Sequence, residues 1–293
     1  MKLATFNHQG QVRIGAVIDD SVVIATDHIE SAQSMLAFLS AGAAGLAALQ
    51  NLIASGQHRV PLVDVSLLAP VLRPGKFLGL GLNYPDHINE TGRDTPEYPT
   101  FFGKMSSCII GSGAAIHCPK ISEKVDYEGE LAFVIGKRCR NVSVDKAHEV
   151  IAGYTICNDV TVRDWQQRTP TWTLGKSFDT HGPLGPWLVT ADEIPDPHNL
   201  TIKTWVNDEL RQNANTGEMI FNCFEMVAYL SQAMTLEPGD VISTGTPSGV
   251  GVKMTPRGYL KPGQTVRIEI ERIGCLSNPV IAEPDAGLAT FIA

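Results

Sequence analysis

The chain has no C-x-x-C pair, no block of lysine and arginine, no internal repeat and no low-complexity tract. It also has no apolar run approaching the roughly 20 residues needed to cross a bilayer. Each absence excludes something. Six cysteines at 108, 118, 139, 157, 223 and 275, scattered over so long a chain, read as reduced thiols of a cytoplasmic protein rather than a disulfide frame or zinc site. A formal charge of -8, with no basic cluster, argues against nucleic-acid and anionic-membrane partners. Met1 to His8 turns polar too early for a signal peptide. The glycine-rich stretch Gly245 to Gly251 lacks the lysine and spacing of a phosphate loop, so it reads as a loop whose backbone can approach a ligand closely.

What remains suits a globular protein with a sizeable core, divided into a small and a large unit. Residues 1–70 form the small one. Met1 to Thr26 alternates as short strands with turns at Asn7–Gly10 and Asp19–Asp20. From Ser31 to Ile53 the apolar residues Met35, Leu36, Leu39, Leu46, Leu49 and Ile53 recur at helical steps, with Gly42 and Gly45 placed to split the helix. The proline-punctuated segment Leu68 to Lys76 marks the boundary, and residues 71–293 form the large unit.

The stretch Asp126-Tyr127-Glu128-Gly129-Glu130-Leu131 organises that unit. It leads into Leu131–Ile135, which reads as a buried strand. Side chains two apart on a strand share a face, so Glu128 and Glu130 project together. Their repulsion has three answers: a solvated strand end, a shared proton, or a hard divalent cation, which prefers oxygen ligands. Asp159, near the end of another β-rich run, is placed to add a third carboxylate. His87 and Glu90 follow the apolar strand Phe77–Leu82, and one helical turn sets them on the same side. Such a pair is either an ordinary surface contact or a general base whose imidazole a carboxylate orients. Thr91 to Thr100 is polar and long enough to act as a lid over a site or as a plain connection. The lone Lys104 in Phe101–Met105 reads as a snorkelling lysine. The seven histidines besides His87, His181 among them, read as surface or core residues.

Taken in order, five motifs resemble the fumarylacetoacetate hydrolase family: Gly81-Leu82-Asn83-Tyr84 with His87 and Glu90; Asp126 to Leu131; Asn158-Asp159-Val160-Thr161 with Arg163, Asp164 and Gln166; Lys176 to Asp179 with Gly182 to Pro186; and Pro238 to Ile242 with Thr244 to Pro247. The resemblance implies an α+β, predominantly β fold: a mixed β-sandwich roll behind a small N-terminal α/β domain, assembled as a homodimer. It implies Mg²⁺ or Mn²⁺, with Ca²⁺ as a substitute, on Glu128, Glu130 and Asp159. It makes His87, Glu90 and Lys176 catalytic, and Tyr84, Arg163, Gln166, Thr246 and Lys104 substrate-binding. The expected activity is hydrolysis of a carbon–carbon bond in acylpyruvate-type 2,4-diketo acids. Decarboxylation of an oxaloacetate-type 2-oxo diacid and isomerisation of a 2-hydroxy-dienedioate use the same site. An inactive ligand-binding protein is the alternative of another class.

Overall fold

A computed structural model describes residues 1–285. Its centre is the strand Gly129–Ile135, every residue of which is buried. Alternation assigns its two faces. Leu131, Phe133 and Ile135 join one core with Ile202, Ile268 and Leu276, whereas Ala132 and Val134 join another with Phe38, Leu39 and Leu49. A strand covered on both sides reads as a continuous apolar run, which is why no polar alternation appears in its sequence.

The strand lies in a 12-stranded sheet. Ten of its strands follow one another as Arg59–Pro61, Ser21–Ile24, Gln11–Ile18, Lys2–His8, Gly182–Thr190, Ile151–Asn158, Gly129–Ile135, Val241–Ser243, Phe77–Gly81 and Thr100–Gly103, and the short strands Ser66–Leu67 and Ile109–Ile110 pair with Lys2–His8 and Gly182–Thr190 off that path. The N-terminal strands therefore continue the central sheet through Lys2–His8, which pairs antiparallel with Gly182–Thr190. A five-stranded sheet, Glu209–Asn215, Thr201–Val206, Thr265–Ile270, Gly274–Ala282 and Ile116–Cys118, packs over the first. The fold is thus mixed α+β and mostly strand, as its sequence implied.

Helices α1 (Met35–Ser40) and α2 (Gly42–Ala54) cover the other face. The break between them falls at Gly42, whose φ of +55° suits a residue without a Cβ; Gly45 stays inside α2. Helix α3, Pro85–Thr91, starts with proline at its first position, where no amide partner is needed. It stops at Gly92 in the left-handed region, whose amide donates to the carbonyls of Ile88 and Asn89. A short helix, α4 (Arg163–Gln166), follows the strand Thr161–Val162. Helix α5, Cys223–Ala233, is capped reciprocally by Asn222 and Glu225. Its buried face carries Cys223, Met226, Val227, Ala228 and Leu230; Phe221 precedes the helix, and Phe224 is only half-buried. Among the described residues no helix is long and apolar enough to cross a membrane.

Candidate metal and proton-transfer site

Backbone register brings the acids together. Gly129 pairs with Asn158 and Glu130 with Cys157, and the Asp159 amide donates to the Glu128 carbonyl at 2.9 Å. Glu128 and Asp159 are thereby opposed at one end of the sheet, and Glu128, Glu130 and Asp159 each place a carboxylate oxygen within 4.8 Å of the others'. Gly129 is required between the two glutamates, because a Cβ there would lie 2.2 Å from Thr204 Oγ1.

Electrostatics separates the three. Burial opposes ionisation of Glu128, but Lys176 Nζ and Arg163 Nη2, the latter 2.8 Å away, outweigh it and hold the carboxyl well below its usual range. Asp159 accepts from Lys176 Nζ at 2.5 Å and from Lys104 Nζ at 2.7 Å. Glu130 is the odd one out. Burial, then the charges of Asp159 and Glu128, push its carboxyl well above the ordinary value, although Ser243 Oγ and the Gly245 amide donate to its Oε2 at 2.5 and 3.0 Å. Four buried carboxyl groups (Asp126, Glu128, Glu130 and Asp159) face three buried cations (Lys104, Arg163 and Lys176), and Glu130 is the one without an ion-pair partner. An all-oxygen donor set that includes an acid without a cation of its own suits a hard divalent cation, so the residues present fit Mg²⁺ or Mn²⁺.

The expected dyad forms on α3. His87 Nδ1 lies 2.7 Å from Glu90 Oε1, and Glu90 Oε2 accepts from the Gly249 amide at 3.1 Å. A neutral imidazole that donates Nδ1–H to Glu90 carries its lone pair on Nε2. His87 lines a cavity of about 250 Å³ together with Glu128, Glu130, Arg163, Gln166, Lys176 and Thr246.

Two expected residues sit elsewhere. Tyr84 does not line the cavity: as the residue before Pro85 it caps α3, and its ring is buried in the core with its hydroxyl unpartnered. Lys104 neither snorkels nor reaches the cavity. It is 3% exposed and stands behind Asp159, its ammonium also donating to the carbonyls of Lys176 and, at 3.0 Å, His181. Thr246 does line the cavity, but its hydroxyl donates to the Gly129 carbonyl at 3.0 Å and accepts from Gln212 Nε2 at 2.7 Å. Donating to a substrate carboxylate would require giving up the first bond.

The glycine-rich loop serves the protein's own acids. Besides Gly245 on Glu130 and Gly249 on Glu90, the amides of Gly251 and Val252 donate to Asp126 at 2.8 and 2.9 Å. Asp126 in turn accepts from Arg163 Nε at 2.8 Å and so aims the guanidinium at Glu128. Gly249 has a φ of +105°, and a Cβ there would meet the Arg211 carbonyl at 1.9 Å. Sequence reasoning gave Asp126 no role beyond its motif and passed over Gln212, whose Oε1 accepts from the Gly129 amide at 3.0 Å. The signal for Asp126 was its place in the acidic motif; Gln212 had none.

His181 is a core histidine with a consequence. Its Nε2 donates to the His117 carbonyl at 2.9 Å and Nδ1 has no partner. Burial pulls its pKa from 6.5 down to about 4; the bond to His117 opposes this, and nearby Lys104 adds to it. Below 6.5 the unfolded chain therefore takes up a proton that the folded chain refuses. Stability is full above that pH and falls towards pH 4, by roughly 3 kcal/mol from this group. Urea midpoints at pH 7 and pH 4.5 check it: the loss should be clearly smaller in His181→Gln, and an equal loss in both proteins would exonerate the histidine.

Residues 76–281 match the family model described as fumarylacetoacetate (FAA) hydrolase C-terminal. The mitochondrial oxaloacetate tautomerase of Xenopus laevis is 45% identical over 249 residues, 84% of this chain and 78% of that protein. Among solved structures, the maleylpyruvate hydrolase of Sphingobium sp. SYK-6, in complex with manganese(II) and pyruvate, is similar with a TM-score of 0.82. It is 33% identical, and the match covers 97% of this chain and all of that one. The 2-hydroxyhepta-2,4-diene-1,7-dioate isomerase of Mycobacterium marinum is similar with a TM-score of 0.78, at 35% identity and the same coverage.

Proposed function

The chain belongs to the fumarylacetoacetate hydrolase family, and on that ground we propose that it is a divalent-metal-dependent enzyme that transfers protons on 2-oxo acids. One observation carries this reading: the His87–Glu90 dyad opens onto the same small cavity as Glu128 and Glu130.

Glu128, Glu130 and Asp159 would hold the cation, which when bound supplies an anchor for the 2-oxo acid and polarises its carbonyl. His87 Nε2 then takes a proton from the carbon next to that carbonyl and returns it to oxygen, or the reverse. Glu90 keeps the imidazole oriented and stabilises its protonated form. Lys176 Nζ donates two of its three protons to Glu128 and Asp159, so one is left for a developing oxyanion. Gln166, which accepts from Arg163 at 3.1 Å, has its amide NH₂ for the substrate carboxylate.

Keto–enol tautomerisation is the reading that the similarity to a named tautomerase supports best, and it asks for one reversible transfer by one base. Hydrolysis of an acylpyruvate, the expectation from sequence, has the same base drawing its proton from water, and the similarity to a hydrolase holding manganese and pyruvate favours it as the second reading.

The test uses the full-length protein stripped with EDTA and then given Mg²⁺ or Mn²⁺. Ketonisation of oxaloacetate enol and cleavage of acetylpyruvate are followed by ultraviolet absorbance. Turnover should vanish with EDTA and return with metal. Ketonisation alone selects the tautomerase and pyruvate release from acetylpyruvate the hydrolase. Absence of metal-dependent turnover on both substrates rejects the proposal.

A further inference from the structure

The cavity that holds the dyad has a second charged zone at its mouth. Arg93, Lys253 and Arg257 line it there and are exposed to solvent. Among the described residues its lining carries two carboxylates, Glu128 and Glu130; both are buried, and Glu128 is already paired with Lys176 and Arg163. Among the described residues none of the three outer cations forms an ion pair, whereas Lys176 and Arg163, the two buried cations of the same cavity lining, both do. On a chain of net charge -8, three unopposed cations round one opening form a local field that attracts anions.

Local structure holds two of them in place. Gly92 in the left-handed region turns the chain sharply after α3, and the guanidinium of Arg93 lies over the Trp172 ring, 5.5 Å from its centroid. Trp172 is itself wedged against Gly81 on the cavity wall. Lys253 donates one proton to the Thr91 carbonyl at 3.2 Å, tying the loop after Gly251 to the end of the dyad helix and leaving two ammonium protons for a ligand. Arg257 completes the ring from the same loop as Lys253.

We propose that Arg93, Lys253 and Arg257 form a subsite for a second carboxylate, so that the substrate is a 2-oxo dicarboxylic acid whose distal acid group rests at the cavity mouth. This rests on the reading of the inner site as a 2-oxo acid site. The inner end takes the 2-oxo acid group, and a distal methyl in place of the second carboxylate would leave the three cations facing only water.

Calorimetric titrations of the Mg²⁺-loaded protein test this with matched pairs that differ only at the far end: oxaloacetate against 2-oxobutyrate, and 2-oxoglutarate against 2-oxopentanoate. Oxalate, which has no distal group, reports on the inner site alone. At one length or both, the diacid should bind at least about tenfold more tightly than its monoacid, as several exposed ion pairs acting together allow. That ratio should collapse towards one in the triple variant Arg93→Gln, Lys253→Gln, Arg257→Gln, and it should shrink in the wild type at high salt. Parity within both pairs, or a preference that survives in the triple variant, overturns the subsite while leaving the inner reading intact if oxalate still binds. Failure of oxalate to bind overturns the inner reading and the subsite with it.

Discussion

His87→Ala lowers turnover at least about a hundredfold, the usual share of a positioned general base, with little change in thermal stability. The reason lies in what the substitution leaves behind. Glu90 keeps its bond from the Gly249 amide, the acids keep Lys176 and Arg163, and α3 keeps its glycine stop. What disappears is the imidazole, with its Nε2 and its bond to Glu90 Oε1. Within the described residues no other histidine lines the cavity, and Lys176 Nζ already donates to Glu128 and Asp159. Steady-state kinetics on oxaloacetate enol or acetylpyruvate, beside a melting curve, check both halves. A variant with wild-type kcat would remove His87 from the mechanism.

Lys104→Met destabilises the fold by about 3–5 kcal/mol, the cost of leaving a buried charge without its partner. The ammonium has no solvent exposure. Burial works against its charge, but Asp159 more than restores it, so it stays protonated. Removing it strands one oxygen of Asp159 and two buried carbonyls, each with a desolvation penalty of its own. Methionine fills similar volume, so a cavity is a minor part of the loss. Urea unfolding in EDTA isolates the effect from any bound metal, and a loss below about 1 kcal/mol, the worth of an exposed ion pair, would mean that Lys176 alone neutralises Asp159.

Asp126 and Lys104 show where reading the chain stops. Both carry charges that a linear sequence leaves unpartnered; their partners Arg163 and Asp159 lie 37 and 55 residues away. A lysine in an apolar stretch extends to water far more often than it is buried with an acid, so the common outcome was the natural expectation and the fold supplied the rare one. Tyr84 misled in the opposite way. Its place in a motif beside His87 suggested the cavity, but at the cap of α3 its ring faces the core.

By itself the sequence determined whatever is local or periodic. It specified the buried strand over Leu131–Ile135, the single helical turn joining His87 to Glu90, a break of the N-terminal helix in the Gly42–Gly45 stretch, and the ordered motifs that place the chain in its family. These depend on residues a few positions apart, whose geometry the backbone periods of strand and helix dictate. Only the tertiary structure decided how charge is shared among Asp126, Glu128, Glu130 and Asp159, that the glycine-rich loop holds three of the protein's own carboxylates, and that three cations from two loops ring the cavity mouth. Buried electrostatics depends on distance and desolvation at once, and neither exists until distant segments have packed.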